Sequence, residues 1–117
     1  MRITSELWVA AFLRQQNAER VIAHQVQKGA PEAGAILIIQ DHLDHRFSLF
    51  LPVPQMFAAG AAATGRAFEQ VLSAVSREQI IARLDGEARM DSDFWVVEIE
   101  WPGQTPPPGV DVIDTSG

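Results

Sequence analysis

The 117-residue chain contains no cysteine, which removes disulfides, thiolate metal sites, thiol nucleophiles and dithiol redox chemistry together. That absence fits a reducing cytoplasm. Positive charge is also scarce. Nine basic residues, only one of them a lysine (Lys28), face fifteen acidic ones, for a net charge of −6. Non-specific nucleic-acid binding and attachment to anionic membranes both draw on a positive surface, so neither is expected. Residues 1–6 form no basic leader running into an apolar segment, so no secretory signal is expected. The longest greasy stretch, residues 33–39, is far too short to cross a bilayer.

Catalytic signatures are equally thin. Gly60, Gly65 and Gly86 stand isolated, and no Gly-Lys-Thr or Gly-Lys-Ser follows any of them, so no phosphate-binding loop is read. Ser5, Ser48, Ser73, Ser76, Ser92 and Ser116 carry hydroxyls outside any nucleophile-elbow pattern. No cofactor is implied.

What the chain does have is apolar content (47%) with few charges (21%), the composition of a packed domain. At this length folding hides roughly two thirds of the unfolded surface, so a core needs no staple. Thr4 to Gln16 reads as a helix, capped by Thr4, with Ile3 and Trp8 placed as a hydrophobic staple and Trp8, Ala11 and Phe12 on one stripe. Val21 to Val26 alternates as a strand, with Ile22, His24 and Val26 on one face. Residues 28–34 connect it to Ala35–Gln40, a strand apolar on both faces and so the candidate for the middle of a sheet. Asp41 to His45 reads as a turn, and Arg46 to Leu51 as the returning strand, stopped by Pro52 and Pro54.

Gln55 to Gly65 is readable as alanine-rich helix or as loop. Ala67 to Ala74 reads as helix, from Phe68, Val71, Leu72 and Val75 at helical spacing. Ser76-Arg77-Glu78-Gln79 is a capping box opening a helix to about Arg89, with Ile80, Ile81, Leu84 and Ala88 as its buried stripe. Phe94 to Trp101 is the last strand, with Trp95, Val97, Ile99 and Trp101 on one side. From Pro102, a triple proline and repeated glycines read as a flexible acidic tail. The expected architecture is an α+β domain over residues 1–101 and a tail over 102–117. Its mainly antiparallel sheet has about four strands in the order α-β-β-β-α(α)-β, with the helices packed on one face.

The opening Arg2-Ile3-Thr4-Ser5-Glu6-Leu7-Trp8-Val9 carries a resemblance, as do the segment Lys28-Gly29-Ala30-Pro31-Glu32-Ala33-Gly34-Ala35, the phrase Phe50-Leu51-Pro52-Val53-Pro54-Gln55 and the stretch from Asp93 to Glu100. In these the chain resembles an alphaproteobacterial family of uncharacterised bacterial proteins, domain of unknown function 1491. Where related sequences carry Arg-Arg-Gly-Asp, this one has Gln27-Lys28-Gly29-Ala30, so no role for that arginine and aspartate carries over. The resemblance implies a compact domain and no particular activity.

Three polar groupings are candidate sites. Asp41, His42, Asp44 and His45 offer imidazole and carboxylate ligands for a metal, although their spacing matches no strong motif and a plain solvated turn is the favoured reading. Glu98 and Glu100 lie two apart on one strand, on the face opposite Trp95, Val97, Ile99 and Trp101. They suit an acid–base pair, a solvated face or a salt bridge to arginine. His24 reads as a structural histidine. Arg77, Arg83 and Arg89 alternate with Glu78, Asp85 and Glu87 as a mixed-charge helix face rather than a phosphate groove.

Two functions therefore compete. One is a non-enzymatic cytoplasmic binding or protein-interaction domain; the other is a small metal-dependent or hydrolytic enzyme using the Asp41–His45 turn or the Glu98 and Glu100 pair. The doubly apolar central strand adds a structural demand. Helices on one face leave the other to be covered, and a second copy of the chain, forming a homodimer through that apolar sheet face, is one cover.

Overall fold

The computed structural model describes residues 3–54 and 66–114; the segment 55–65, open between helix and loop from sequence, lies outside them. Among the described residues two helices and five strands follow one another. They are α1 (Ser5–Ala18), β1 (Ala23–Gln27), β2 (Ile36–Asp41), β3 (Phe47–Pro52), β4 (Phe68–Val75), α2 (Arg77–Met90) and β5 (Trp95–Glu100). The strands form one sheet in the spatial order β1-β5-β2-β3-β4. β5 is antiparallel to β1 and parallel to β2, while β2–β3 and β3–β4 are antiparallel. β2 is the middle strand, as its two apolar faces require.

Two expectations from sequence are corrected here. The segment Ala67–Ala74 is a strand, not a helix, so the sheet has five strands and four of them precede α2. The helical spacing was produced by irregular pairing: the β3–β4 register shifts twice between Phe47 and Phe50, and Ala74 takes a positive φ of 51°. A bulge adds a residue and breaks the two-residue alternation. Phe68 therefore joins one side of the sheet, while Val71, Leu72 and Val75 join the other.

The helices also do not share a face. Trp8, Val9 and Phe12 of α1 pack with Ile36, Ile38, Phe50, Trp95, Val97 and Ile99. Ile80 and Leu84 of α2 pack with Leu37, Ile39, Leu49, Phe94 and Val96 from the alternate positions. Of the stripe read for α2, Ile80 is buried and Leu84 half-buried, whereas Ile81 and Ala88 are exposed. Ser76 and Gln79 form the reciprocal capping box. The doubly apolar strand is thus covered from both sides by the chain's own elements.

One loop ties the two layers. The first N–H groups of α1 have no partner within the helix; here Ser5 N–H donates to Glu32 O (3.0 Å) and Glu6 N–H to Pro31 O (2.9 Å). The buried Ser5 hydroxyl donates to Gly34 O at 2.6 Å. On the loop's other side Ala30 N–H donates to Asp93 O (3.0 Å) and Trp95 N–H to Ala35 O (2.7 Å). The Trp95 indole closes the set by donating to Ala30 O at 2.8 Å. A Cβ on Gly29 would lie 2.6 Å from Asp93 O and Phe94 C, and one on Gly34 2.7 Å from Asp93 O. Only a bare backbone approaches β5 this closely.

Residues 102–114, read as a tail, lie against the α1 side. Gln16 Nε2 donates to Pro108 O at 2.6 Å, Val110 is buried, and Val112 pairs with Phe68 in a parallel bridge. Phe68 N–H donates to Asp111 O and Ile113 N–H to Phe68 O, both at 2.8 Å. Part of the outer edge of β4 is thereby closed. No helix among the described residues is long and apolar enough to cross a membrane.

The close approach at the loop gives the first testable outcome. Gly29→Ala and Gly34→Ala should each lower unfolding stability by about 1–3 kcal/mol, the cost of forcing an extra methyl into packed backbone. Gly86→Ala, where nothing lies within 4 Å of the added carbon, should be neutral or stabilising in the same urea titration.

Candidate functional site

The Asp41–His45 turn does not converge on a point. Asp41 Oδ1 accepts the Leu43 N–H at 2.8 Å, and Leu43 and His45 take positive φ values of 66° and 67°. Asp44 accepts from the Arg46 backbone N–H and from its guanidinium Nη2 at 2.8 Å. The Arg46 guanidinium so bonded holds the Asp44 carboxyl below the ordinary carboxylate range. His45 is exposed. Among the described residues no group of three or more His, Cys, Asp or Glu is placed to hold a metal ion.

His42 has a defined role of a different kind. Its Nδ1 lies 2.6 Å from Gly103 O and its Nε2 2.7 Å from Ser48 Oγ. A carbonyl can only accept, so Nδ1 carries a proton; in the neutral ring Nε2 then accepts from the Ser48 hydroxyl. Ser48 Oγ also accepts the Ala74 N–H at 3.1 Å. Hydroxyl, imidazole and carbonyl are in line as in a nucleophile relay, but Ser48 has no exposed surface. The set joins β3, the bulged end of β4 and residues 101–105. Buried Gln40 adds to it, donating to Trp101 O at 2.9 Å and Thr105 O at 3.1 Å.

The Glu98 and Glu100 pair separates by environment. Glu98 is buried on the α2 side and bound by Arg77, with Nη2 3.3 Å from Oε2 and both Nη1 and Nη2 3.4 Å from Oε1. Arg77 is the first residue of α2, and its guanidinium sits 4.2 Å from the centre of the Phe47 ring. Glu98 therefore serves an ion pair between helix and sheet, and Glu100 is only half-buried beside Asp41 on β2. His24 stands opposite Glu98 across β1–β5 but is exposed.

Two clefts border these elements. One of about 70 Å³ lies between His42, Asp44 and Arg46 of the turn, Ser73–Ala74, and Gly103–Gln104. A groove of about 200 Å³, lined by Ala35, Leu37, Leu51, Pro52, Met90 and Phe94 among others, opens at the C-terminal end of α2. Neither cleft is lined by both the turn and the Glu98 and Glu100 pair.

The edge of β1 differs from that of β4. Among the described residues β1 pairs with β5 alone, and no strand lies beyond it. Glu100 N–H donates to Ile22 O at 2.9 Å, so strand alternation turns the main-chain groups of Ala23 and Gln25 away from β5. Around them Ile22 is 60% and Val26 52% exposed.

The family model of a protein of unknown function, DUF1491, matches residues 3–107. The chain belongs to that family. A protein of A. tumefaciens solved in solution is 40% identical, with 98% of each chain covered and a TM-score of 0.78. A family member from Caulobacter crescentus CB15, solved by crystallography, is 26% identical over 97% of this chain and 100% of its own, with a TM-score of 0.73. A DUF1491 family protein from Caulobacter crescentus CB15 solved by NMR is 27% identical over 97% of this chain and 99% of its own, with a TM-score of 0.71. No curated protein matches the sequence. The family model spans the Gly29–Gly34 loop, the His42 set and the Arg77–Glu98 pair alike.

The sequence held a signal for Arg77, a basic residue at a capped helix start, though its partner depends on how α2 crosses the sheet. The His42–Ser48 contact depends on the hairpin register that sets Gln40 against Ser48.

Two measurements test these assignments. Arg77→Ala should destabilise by about 1–3 kcal/mol because it leaves a nearly buried carboxylate unpaired, and adding Glu98→Gln should recover part of that loss in a double-mutant cycle. For Asp44 the folded-state pKa is depressed, so the Arg46 contact stabilises at neutral pH and its contribution is lost as pH falls through that depressed value. In a carboxyl NMR titration the Asp44 midpoint should rise toward 3.8 in Arg46→Ala.

Proposed function

We propose that this DUF1491 protein is a non-enzymatic interaction domain that takes an extended segment of another protein along the free edge of β1. The observation that carries this reading is the contrast between the two ends of the sheet. Residues 111–113 close part of the β4 edge through main-chain bonds, whereas β1 offers the outward N–H and C=O groups of Ala23 and Gln25 between exposed apolar side chains. Adding a strand to such an edge gives affinity through backbone bonds and specificity through alternate side chains. The lack of cysteine is compatible with a reducing cytoplasm as the setting for this role.

A homodimer through an apolar sheet face has less support, because α1 with residues 107–112 covers one side of the sheet and α2 the other. The enzyme reading also gains little: Asp41, Asp44 and Glu98 are each engaged in structural bonds.

The test is an NMR titration with a short peptide of alternating valine and threonine. Amide shifts should concentrate at residues 22–27 and vanish with the same peptide N-methylated at alternate positions. Gln25→Pro removes an N–H that points away from β5, so the domain should keep its fold and lose the response. Shifts spread evenly over the surface, or unchanged by N-methylation, would overturn the assignment of the edge.

A further inference from the structure

Building on that reading, we infer that the strand taken up by β1 belongs to an acidic partner, an extended segment with a carboxylate near each end of an apolar centre. The chain as a whole carries −6, yet residues 20–28 hold Arg20, His24 and Lys28 and no carboxylate. Arg20 stands exposed before β1 and Lys28 exposed just after it. Arg20, in the turn that leaves α1, and Lys28 thus flank the five residues of β1, one beyond each end of the free edge. Glu98, the carboxylate beneath His24, is already neutralised by Arg77. Lys28 reaches Glu6 at 3.7 Å, but both side chains are more than half exposed (61% and 55%), so an incoming carboxylate competes for the lysine at little cost.

The same charges argue against a second copy as the occupant. The two-fold antiparallel register that pairs Ala23 with Gln25 uses all the outward groups, and it brings Arg20 of each copy to the end of the edge where Lys28 of the other copy lies. Like charges brought together in this way repel. The sheet's other edge shows the chemistry it accepts: the segment Asp111-Val112-Ile113-Asp114, two carboxylates flanking two apolar residues, docks on β4 beside Phe68 by main-chain bonds.

The experiment compares three nine-residue valine–threonine peptides, ended by aspartate, by threonine and by lysine, titrated into the full chain. The response is followed at the amides of residues 22–27. The aspartate-ended peptide should bind roughly tenfold more tightly than the lysine-ended one, and the order should invert in Arg20→Glu/Lys28→Glu. Should that double variant fail to fold, Arg20→Gln/Lys28→Gln should abolish the preference instead. Equal binding of all three peptides at β1 would overturn the acidic partner while leaving the edge as the docking site. No response at β1 to any peptide would overturn both. A mass of twice the monomer by light scattering without peptide, lost in Gln25→Pro, would overturn the inference in favour of a second copy.

Discussion

The clasp at residues 29–34 is the contact on which the rest of this fold depends. Its carbonyls receive the first N–H groups of α1, and its glycines lie against the backbone of Asp93 and Phe94. The consequence is topological. Held there, β5 starts level with β2 and runs parallel to it, Ile36 beside Trp95 through Asp41 beside Glu100. A parallel neighbour requires a crossover, and the chain from β3 through α2 supplies it. β5 then occupies the place beside β2, and β1, although earlier in sequence, is left at the sheet's margin. The openness of β1 is therefore a product of the same contact that organises the core.

Polar groups elsewhere mostly close the structure. The His42–Ser48 pair and Gln40 hold residues 101–105 to the ends of β2 and β3, and Arg77 fastens the start of α2 to β5 through Glu98. Gln16 donates to the carbonyl of Pro108. Each satisfies a buried or half-buried polar atom that would otherwise be costly. Groups that looked like chemistry in the sequence are in this way used for closure, and at β1 the unpaired groups among the described residues are main chain.

Much of this was legible in the sequence, and the misses have specific causes. α1, the capping box at Ser76, the doubly apolar β2 and the alternating β5 follow from local patterns that tertiary structure did not override. β4 was hidden because a bulge gave Phe68, Val71, Leu72 and Val75 the spacing of a helix. The placement of helices on opposite faces depends on the β2–β5 pairing across more than fifty residues, which no local window carries. In the candidate sites, Glu98 was visible as a carboxylate on an apolar strand, but its arginine was not assignable without the crossing of α2. The bare edge was invisible because sheet order is a global property.

The central claim is that β1 has an unoccupied edge in the isolated domain, and native-state hydrogen exchange tests it residue by residue. Amides of Ala23 and Gln25 should exchange nearly as fast as in an unstructured peptide, while those of His24, bonded to β5, and Ile113, bonded to Phe68, should be slowed. Protection of Ala23 and Gln25 equal to that of His24 would mean that the edge is already filled, and would contradict the account.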